Sequence, residues 1–195
     1  MTHIEHAPPV ILPDGEIRPV TRAPRRERLS WALYDFSNTI FSMNVVTLYF
    51  SAWLVDDLGA SSSLYANASA IASLLVVFAI PVLGAMSDAR RRRKPWVVGF
   101  TILSCLACAS IGVIGQTSLP LIGTEVVSPQ NIPADWHPGA SQLFWVLAAF
   151  VLANFAYQAA QPFYNAMLPE LAPPEELGRL SGLGTAIGYV GSFAG

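Results

Sequence analysis

Charge is what this sequence has least of. Asp, Glu, Lys and Arg make up 12% of its 195 residues against 53% hydrophobic ones, about half the charged share of a soluble domain. A soluble fold of this length needs a polar surface, and long stretches here have nothing to build one from. A very apolar soluble helical core is the alternative, but the apolar runs are too long for it. Cysteine is nearly missing too. Cys105 and Cys108 spell CxxC, yet they lie inside an apolar run with neither a βαβ setting nor a second pair, and they read as small packing residues. The three histidines are scattered: His3 and His6 precede any apolar run, and His137 has only Asp135 and Trp136 beside it. No second ligand group stands at metal-ligand spacing, so that stretch reads as surface loop and no cofactor is expected. HExxH, GxSxG and P-loop patterns do not occur, which leaves no hydrolase or ATPase signature. Period-2 alternation with regular turns is missing as well, against a β-barrel.

What remains is hydrophobic length. A transmembrane helix needs about 20 mostly apolar residues, and four segments qualify: Ser30–Val55, Leu64–Met86, Trp96–Ile114 and Gln142–Leu168, the last with Pro162 near its end. A fifth, Leu180–Gly195, has the same character but stops after 16 residues. The expected fold is an all-α, polytopic membrane protein. A disordered cytoplasmic tail, residues 1–29, precedes a partial transmembrane domain, residues 30–195. The tail has no apolar h-region, so helix one is expected to act as its own insertion signal. The tripeptide Asn67-Ala68-Ser69 matches a glycosylation sequon but lies at the edge of helix two.

The cations give the topology. All eleven are in the tail, between helices two and three, or between helices four and five: Arg18, Arg22, Arg25, Arg26, Arg28, Arg90 to Arg93, Lys94 and Arg179. The other two loops, Asp56–Ser63 and Gly115–Ser141, have none. The positive-inside rule then makes the amino terminus cytoplasmic. One Arg carried to mid-membrane costs about 2.5–3.5 kcal/mol on insertion scales, so Arg90–Lys94 pins a tight cytoplasmic hairpin. Spans flank that run directly, and no nucleic-acid partner is expected.

Polar residues inside spans are costly and usually face a protein interior or a water-filled path. In helix one Asp35, Asn38, Ser42 and Tyr49 fall within about 60° of one another at ~100° per residue. In helix four Asn154, Gln158, Gln161 and Asn165 form a stripe about equally narrow, with Tyr157 and Tyr164 to one side. These amides either glue helices together or line a cavity; four on one stripe exceed what packing needs. Asp35 lies about 8 Å in from its helix end at ~1.5 Å per residue, so it is either interfacial or buried. In helix five the series Gly184, Gly188, Ser192 is small-xxx-small and reads as close packing.

The stretch "GAMSDARRRRKPW" resembles the cytoplasmic loop signature of the major facilitator superfamily, Gly-x-x-x-Asp-[Arg/Lys]-x-Gly-Arg-[Arg/Lys]. Gly84, Asp88, Arg92 and Arg93 match; Ala89 stands for the first cation and Arg91 for the turn glycine. "SWALYDFSNTIF" (Ser30–Phe41) and "FYNAMLPELAPPEELGRLSGLGTAIGYVGS" (Phe163–Ser192) resemble its vacuole-effluxer-like branch, which includes amino-acid effluxers of fungal vacuoles and bacterial members. The resemblance implies a twelve-helix fold of two halves around a central site, of which this chain is an amino-terminal piece. It also implies secondary transport, with efflux the expected direction, of small polar solutes such as amino acids, in a bacterial cytoplasmic membrane. Asp35, Asn38, Asn154, Gln158 and Gln161 would then contact the solute, with the stripes of helices one and four facing each other across the cavity. Asp35 is the candidate acceptor for a coupling proton, and Gly84, Asp88, Arg92 and Arg93 would form a cytoplasmic latch. The expected partners are membrane lipids and that solute. A four-helix membrane scaffold without transport is the alternative, and a membrane-embedded enzyme has no motif in its favour.

Overall fold

The structure, a computed structural model, describes residues 10–11, 17–18, 23–90, 93–118, 121–122, 125–126 and 139–194. Four helices in it are long and apolar enough to cross a membrane. The first, α1, is the helical run Arg25–Asp57. It is followed by α2 (Ser62–Arg90), α3 (Lys94–Ser118), α4 (Ala140–Asn165), the single turn α5 (Leu168–Leu171) and α6 (Pro174–Ala194). Strands among the described residues are two-residue pairs: β1 (Val10–Ile11) with β2 (Ile17–Arg18), and β3 (Leu121–Ile122) with β4 (Glu125–Val126), both antiparallel. The first pair lies in the tail expected to be disordered, whose other residues up to Arg22 are outside the described set. Asp135, Trp136 and His137 are outside it as well.

The helices run past the hydrophobic limits on which the expected boundaries rested. Helix one was expected from Ser30 and starts at Arg25. Pro24, with φ −51° and ψ 147°, fixes the entry, and its carbonyl accepts from the Glu27 and Arg28 N–H groups at 3.0 and 3.3 Å. Arg, Arg, Glu, Arg is a run of good helix formers, so the helix continues beyond its apolar part. The α2–α3 hairpin is correspondingly shorter than expected: α2 goes on to Arg90 through Ala89, and Pro95 favours an early start to α3. Only residues 91–93 separate the two helices. Helix five starts at Pro174 instead of Leu180, since proline suits a first turn and Glu175 and Glu176 suit its positive end. Helix four closes at Asn165, short of Leu168, and α5 takes up the next residues.

In α1 the hydrogen-bond register changes. Arg25–Ile40 is α-helical, but Phe41–Tyr49 and Trp53–Asp57 are π-helical. With i→i+5 bonds each turn takes more residues, so a stripe computed at the α-helical advance breaks up after Ile40. Tyr49, expected on the Asp35 stripe, is 62% exposed, whereas Asn44, off that stripe, is buried at 9%. The run ends at Gly59, φ 64°, where glycine tolerates the left-handed conformation. Ala60 N–H closes the end onto the Leu54 carbonyl at 3.0 Å.

Two compact units result, Met1–Val45 with Asn165–Gly195, and Val46–Tyr164. In the first, α6 lies so close to α1 that glycine is required. A Cβ on Gly191 would stand 2.6 Å from the Phe36 carbonyl oxygen, and one on Gly184 would stand 2.8 Å from the Trp31 ring. The packing face is thus Gly184, Gly188, Gly191; Ser192 turns aside to donate to its own Tyr189 carbonyl at 2.7 Å. In the second unit, Phe50 and Phe150 stack with centroids 4.0 Å apart and planes 3° from parallel, among Leu54, Leu58, Ile111 and Val146. Tyr65 donates to the Val46 carbonyl at 2.5 Å.

Candidate functional site

The amide stripe of α4 is at the level where α2 approaches it. Asn154 is 3% exposed, and its Oδ1 accepts from Gln158 Nε2 at 3.1 Å. Gln158 then reaches α2: its Nε2 is 3.3 Å from Ser73 Oγ, and its Oε1 is 3.4 Å from the same hydroxyl. Ser73 also bonds its own helix at the Ser69 carbonyl, 3.1 Å. These are long bonds on a partly exposed pair, and such contacts exchange more readily than short buried ones. Pro162 adds a second polar group at the same residue. It has no N–H to give the carbonyl four residues back, so the Gln158 C=O loses its usual intrahelical donor. Gln161 is half-buried, and among the described residues its side chain has no hydrogen-bond partner. Asn165 is exposed.

Asp35 and Asn38 belong to the other unit, where Asp35 abuts α6. A Cβ at Gly188 would be 3.0 Å from Asp35 Oδ2 and 2.9 Å from Thr39 Oγ1, so glycine leaves room for both oxygens. Among the described residues the Asp35 carboxylate has no ion pair or hydrogen bond, and Asn38 beside it is half-buried. A carboxylate in such surroundings can take up and release a proton without breaking an ion pair. At the helix ends, Arg28 and Glu176 link α1 and α6 at 3.7 Å.

In the α2–α3 hairpin Arg93 is 3.9 Å from Asp88. Gly84 is half-buried, with open space where a Cβ would go; Arg92 lies outside the described residues. Trp96 stacks on Phe163 at 5.7 Å and anchors the start of α3 against α4. Deeper in, Ser104 donates to the Ala153 carbonyl at 3.1 Å. Ser73, Ser104 and Asn44 went unnoticed in the sequence, because one small polar residue in an apolar span makes no pattern by itself. Cys105 is exposed and Cys108 half-buried, both as free thiols.

Apolar helices crossing a membrane, a short cationic hairpin and mid-span amides suit many membrane proteins. The sequence decides among them: the Major Facilitator Superfamily profile matches residues 5–195. The chain belongs to that superfamily. Among curated relatives of this major facilitator chain, an uncharacterised protein of Aquifex aeolicus (strain VF5) is 31% identical over 175 residues, which cover 88% of the chain and 38% of that protein. The "Uncharacterized MFS-type transporter YxiO" of Bacillus subtilis (strain 168) is 25% identical over 174 residues, 86% of the chain and 35% of the relative. The chain therefore spans somewhat more than a third of the length of these relatives. No solved structure matches it. As a major facilitator chain with several spanning helices it is an integral membrane protein, and Phe78, Leu106 and Val113 on α2 and α3 are exposed apolar side chains.

Proposed function

We infer that this chain supplies solute-contacting helices to a secondary transporter that moves small polar solutes out of the cell, with amino acids as the first class to test. Superfamily membership supports transport; the vacuole-effluxer-like stretches Ser30–Phe41 and Phe163–Ser192 suggest amino acids and export. The observation that carries the reading is the Asn154–Gln158–Ser73 relay at mid-span. The Gln158 amide meets Ser73 through long, exchangeable contacts and Asn154 through a shorter one, and its backbone carbonyl loses its usual helical donor to Pro162. An amide beside a carbonyl that lacks its usual helical donor offers donors and acceptors to an ammonium or carboxylate without a fixed charge. Asn154 orients Gln158, Gln161 extends the stripe, Asp35 accepts the coupling proton, and Asn38 beside it contacts the solute. Asp88, with Gly84, Arg92 and Arg93, works as the cytoplasmic latch of an alternating-access cycle, the amino terminus lying on the same side of a bacterial inner membrane.

The test is uptake and counterflow of radiolabelled amino acids in proteoliposomes of the longest protein that contains this chain. Gln158→Ala is expected to weaken apparent solute affinity at least tenfold, the equivalent of about 1.4 kcal/mol. Asp35→Asn is expected to remove the dependence on a pH gradient while leaving exchange. A competing reading, a membrane scaffold, draws on the same bond, since Gln158 to Ser73 also ties α4 to α2. Unchanged transport with a lowered melting temperature in Gln158→Ala would decide for the scaffold.

A further inference from the structure

The π-helical run of α1 is costly to maintain. π turns hold well under 1% of residues in soluble proteins and occur mostly as single-turn bulges, yet Phe41–Tyr49 has nine residues in a row. Such a run persists where contacts from outside the helix favour it, and its downstream end shows one. A ladder that goes back from i→i+5 to i→i+4 bonds passes over one carbonyl, which then needs a donor from elsewhere. The run gives way to α-helix at Phe50, and the residues four and five back from Phe50 are Val46 and Val45. Val46 is the carbonyl to which Tyr65 of α2 donates. The second run, Trp53–Asp57, ends at the helix terminus, where the Ala60 N–H serves the Leu54 carbonyl. The first takes its donor from another helix.

The Tyr65 hydroxyl is aimed by its ring, which packs 6.4 Å from Phe50 and 5.7 Å from Phe150, the stacked pair at the centre of this unit. Exposure along the run follows the same register. Met43, Thr47 and Leu48 are all exposed. With i→i+5 bonds, residues four and five apart are neighbours on one face, whereas at ~100° per residue Leu48 would stand about 140° from Met43. We propose that Phe41–Tyr49 is a two-register element, π-helical while the Tyr65 hydroxyl holds the Val46 carbonyl and α-helical when that bond is released. In the α register the Val46 carbonyl takes the Phe50 N–H of its own helix and needs no outside donor. The change turns Asp35, Asn38 and Asn44 about the helix axis relative to Phe50, which the stacked rings hold. The switch lies in the bonding of α1 itself and stands whether or not the transport reading holds.

Bridging of cysteine pairs tests it, in liposomes of the longest protein that contains this chain, with Cys105→Ala and Cys108→Ala as background. Met43→Cys with Leu48→Cys makes a pair five apart, and Met43→Cys with Thr47→Cys makes a pair four apart. Dibromobimane, which becomes fluorescent on linking two nearby thiols, reports both. The four-apart pair is close in either register and serves as the reference, whereas the five-apart pair is close in the π register alone. With Tyr65 in place the two pairs are expected to bridge about equally. Tyr65→Phe keeps the ring but leaves the Val46 carbonyl without its donor, a penalty the α register removes. The five-apart signal should then fall by at least half relative to the four-apart one. A weak five-apart signal with Tyr65 in place overturns the proposal, and that comparison needs no change at position 65. An unchanged ratio in Tyr65→Phe overturns it as well, since something other than Tyr65 then holds the register.

Discussion

Where α6 meets α1, backbone meets backbone: Gly191 faces the Phe36 carbonyl, and Gly184 takes the edge of the Trp31 ring. Within Val46–Tyr164 the helices are held apart by rings instead, with Phe50 against Phe150 and Trp96 against Phe163. Lipid tails are as apolar as the side chains they would replace, so neither contact gains much from leaving lipid, and the quality of fit decides its strength. The two solutions therefore fail in opposite ways. The glycine contact cannot accept an added atom, and the ring contact cannot lose one.

The largest expected effect comes from removing a ring. Phe150 is fully buried and stacked on Phe50, so Phe150→Ala leaves a cavity worth about 3–5 kcal/mol. Thermal unfolding in detergent, followed by circular dichroism, should register it as a large drop in Tm. Adding a methyl to the other contact comes next. Gly191→Ala sets its Cβ against a backbone carbonyl that cannot swing away, at a cost of about 1–3 kcal/mol. Gly182→Ala on the same helix meets nothing within 4 Å and should gain about 0.5–1 kcal/mol from helix propensity. Gly188→Ala should fall between them, because the atoms it meets, Thr39 Oγ1 and Asp35 Oδ2, are side-chain tips. If Gly191→Ala and Gly182→Ala melted alike, the close approach of α6 to α1 would be wrong.

This contrast was only half legible in the sequence. Membrane crossing forces apolar length on a helix, and for that reason the four spans could be read from composition alone. Gly184 and Gly188 announced a close contact through their spacing. The third member, Gly191, did not, because Ser192 suits the regular four-residue repeat and only the crossing of the helices chooses between them. The rings of Phe50 and Phe150 are far apart in sequence and lie among other aromatics, with nothing to mark them as a pair. The π-helical turns of α1 were illegible for a different reason. Hydropathy carries no information about hydrogen-bond register, and so Asn44 was passed over while Tyr49 was assigned to the polar stripe. Of the amide stripe, Asn154, Gln158 and Gln161 stood out by pattern, whereas the hydroxyl that meets Gln158, on Ser73, did not.

A smaller effect is expected where a polar bond, and neither glycine nor ring, joins two helices. Ser73→Ala and Gln158→Ala, measured singly and together, should give a coupling of about 0.6 kcal/mol, since hydrogen bonds between membrane helices are worth little when the unfolded helices find other partners. A coupling near zero would mean that the 3.3–3.4 Å contacts add nothing to the unit's stability. A coupling above about 1.7 kcal/mol, the upper end for such bonds, would make the pair structural and weaken its case as an exchangeable solute contact.

The smallest effect on stability should be at Asp88. Its side chain is 75% exposed, and Arg93 stands 3.9 Å away, near the outer limit for an ion pair. Exposed pairs of this kind contribute about 0–1 kcal/mol, and four more cations, Arg90, Arg91, Arg92 and Lys94, adjoin Arg93 in the sequence. Asp88→Asn removes one negative charge without changing the shape of the side chain, so its melting temperature should stay within error of the unmodified protein. That makes it a clean probe of the proposed latch. A fall in transport by the longer protein at unchanged melting and expression assigns Asp88 to gating. Equal transport removes that role and leaves the cations of the hairpin with topology alone, while a parallel fall in melting would mean that Asp88 holds α2 to α3 more firmly than its exposure allows.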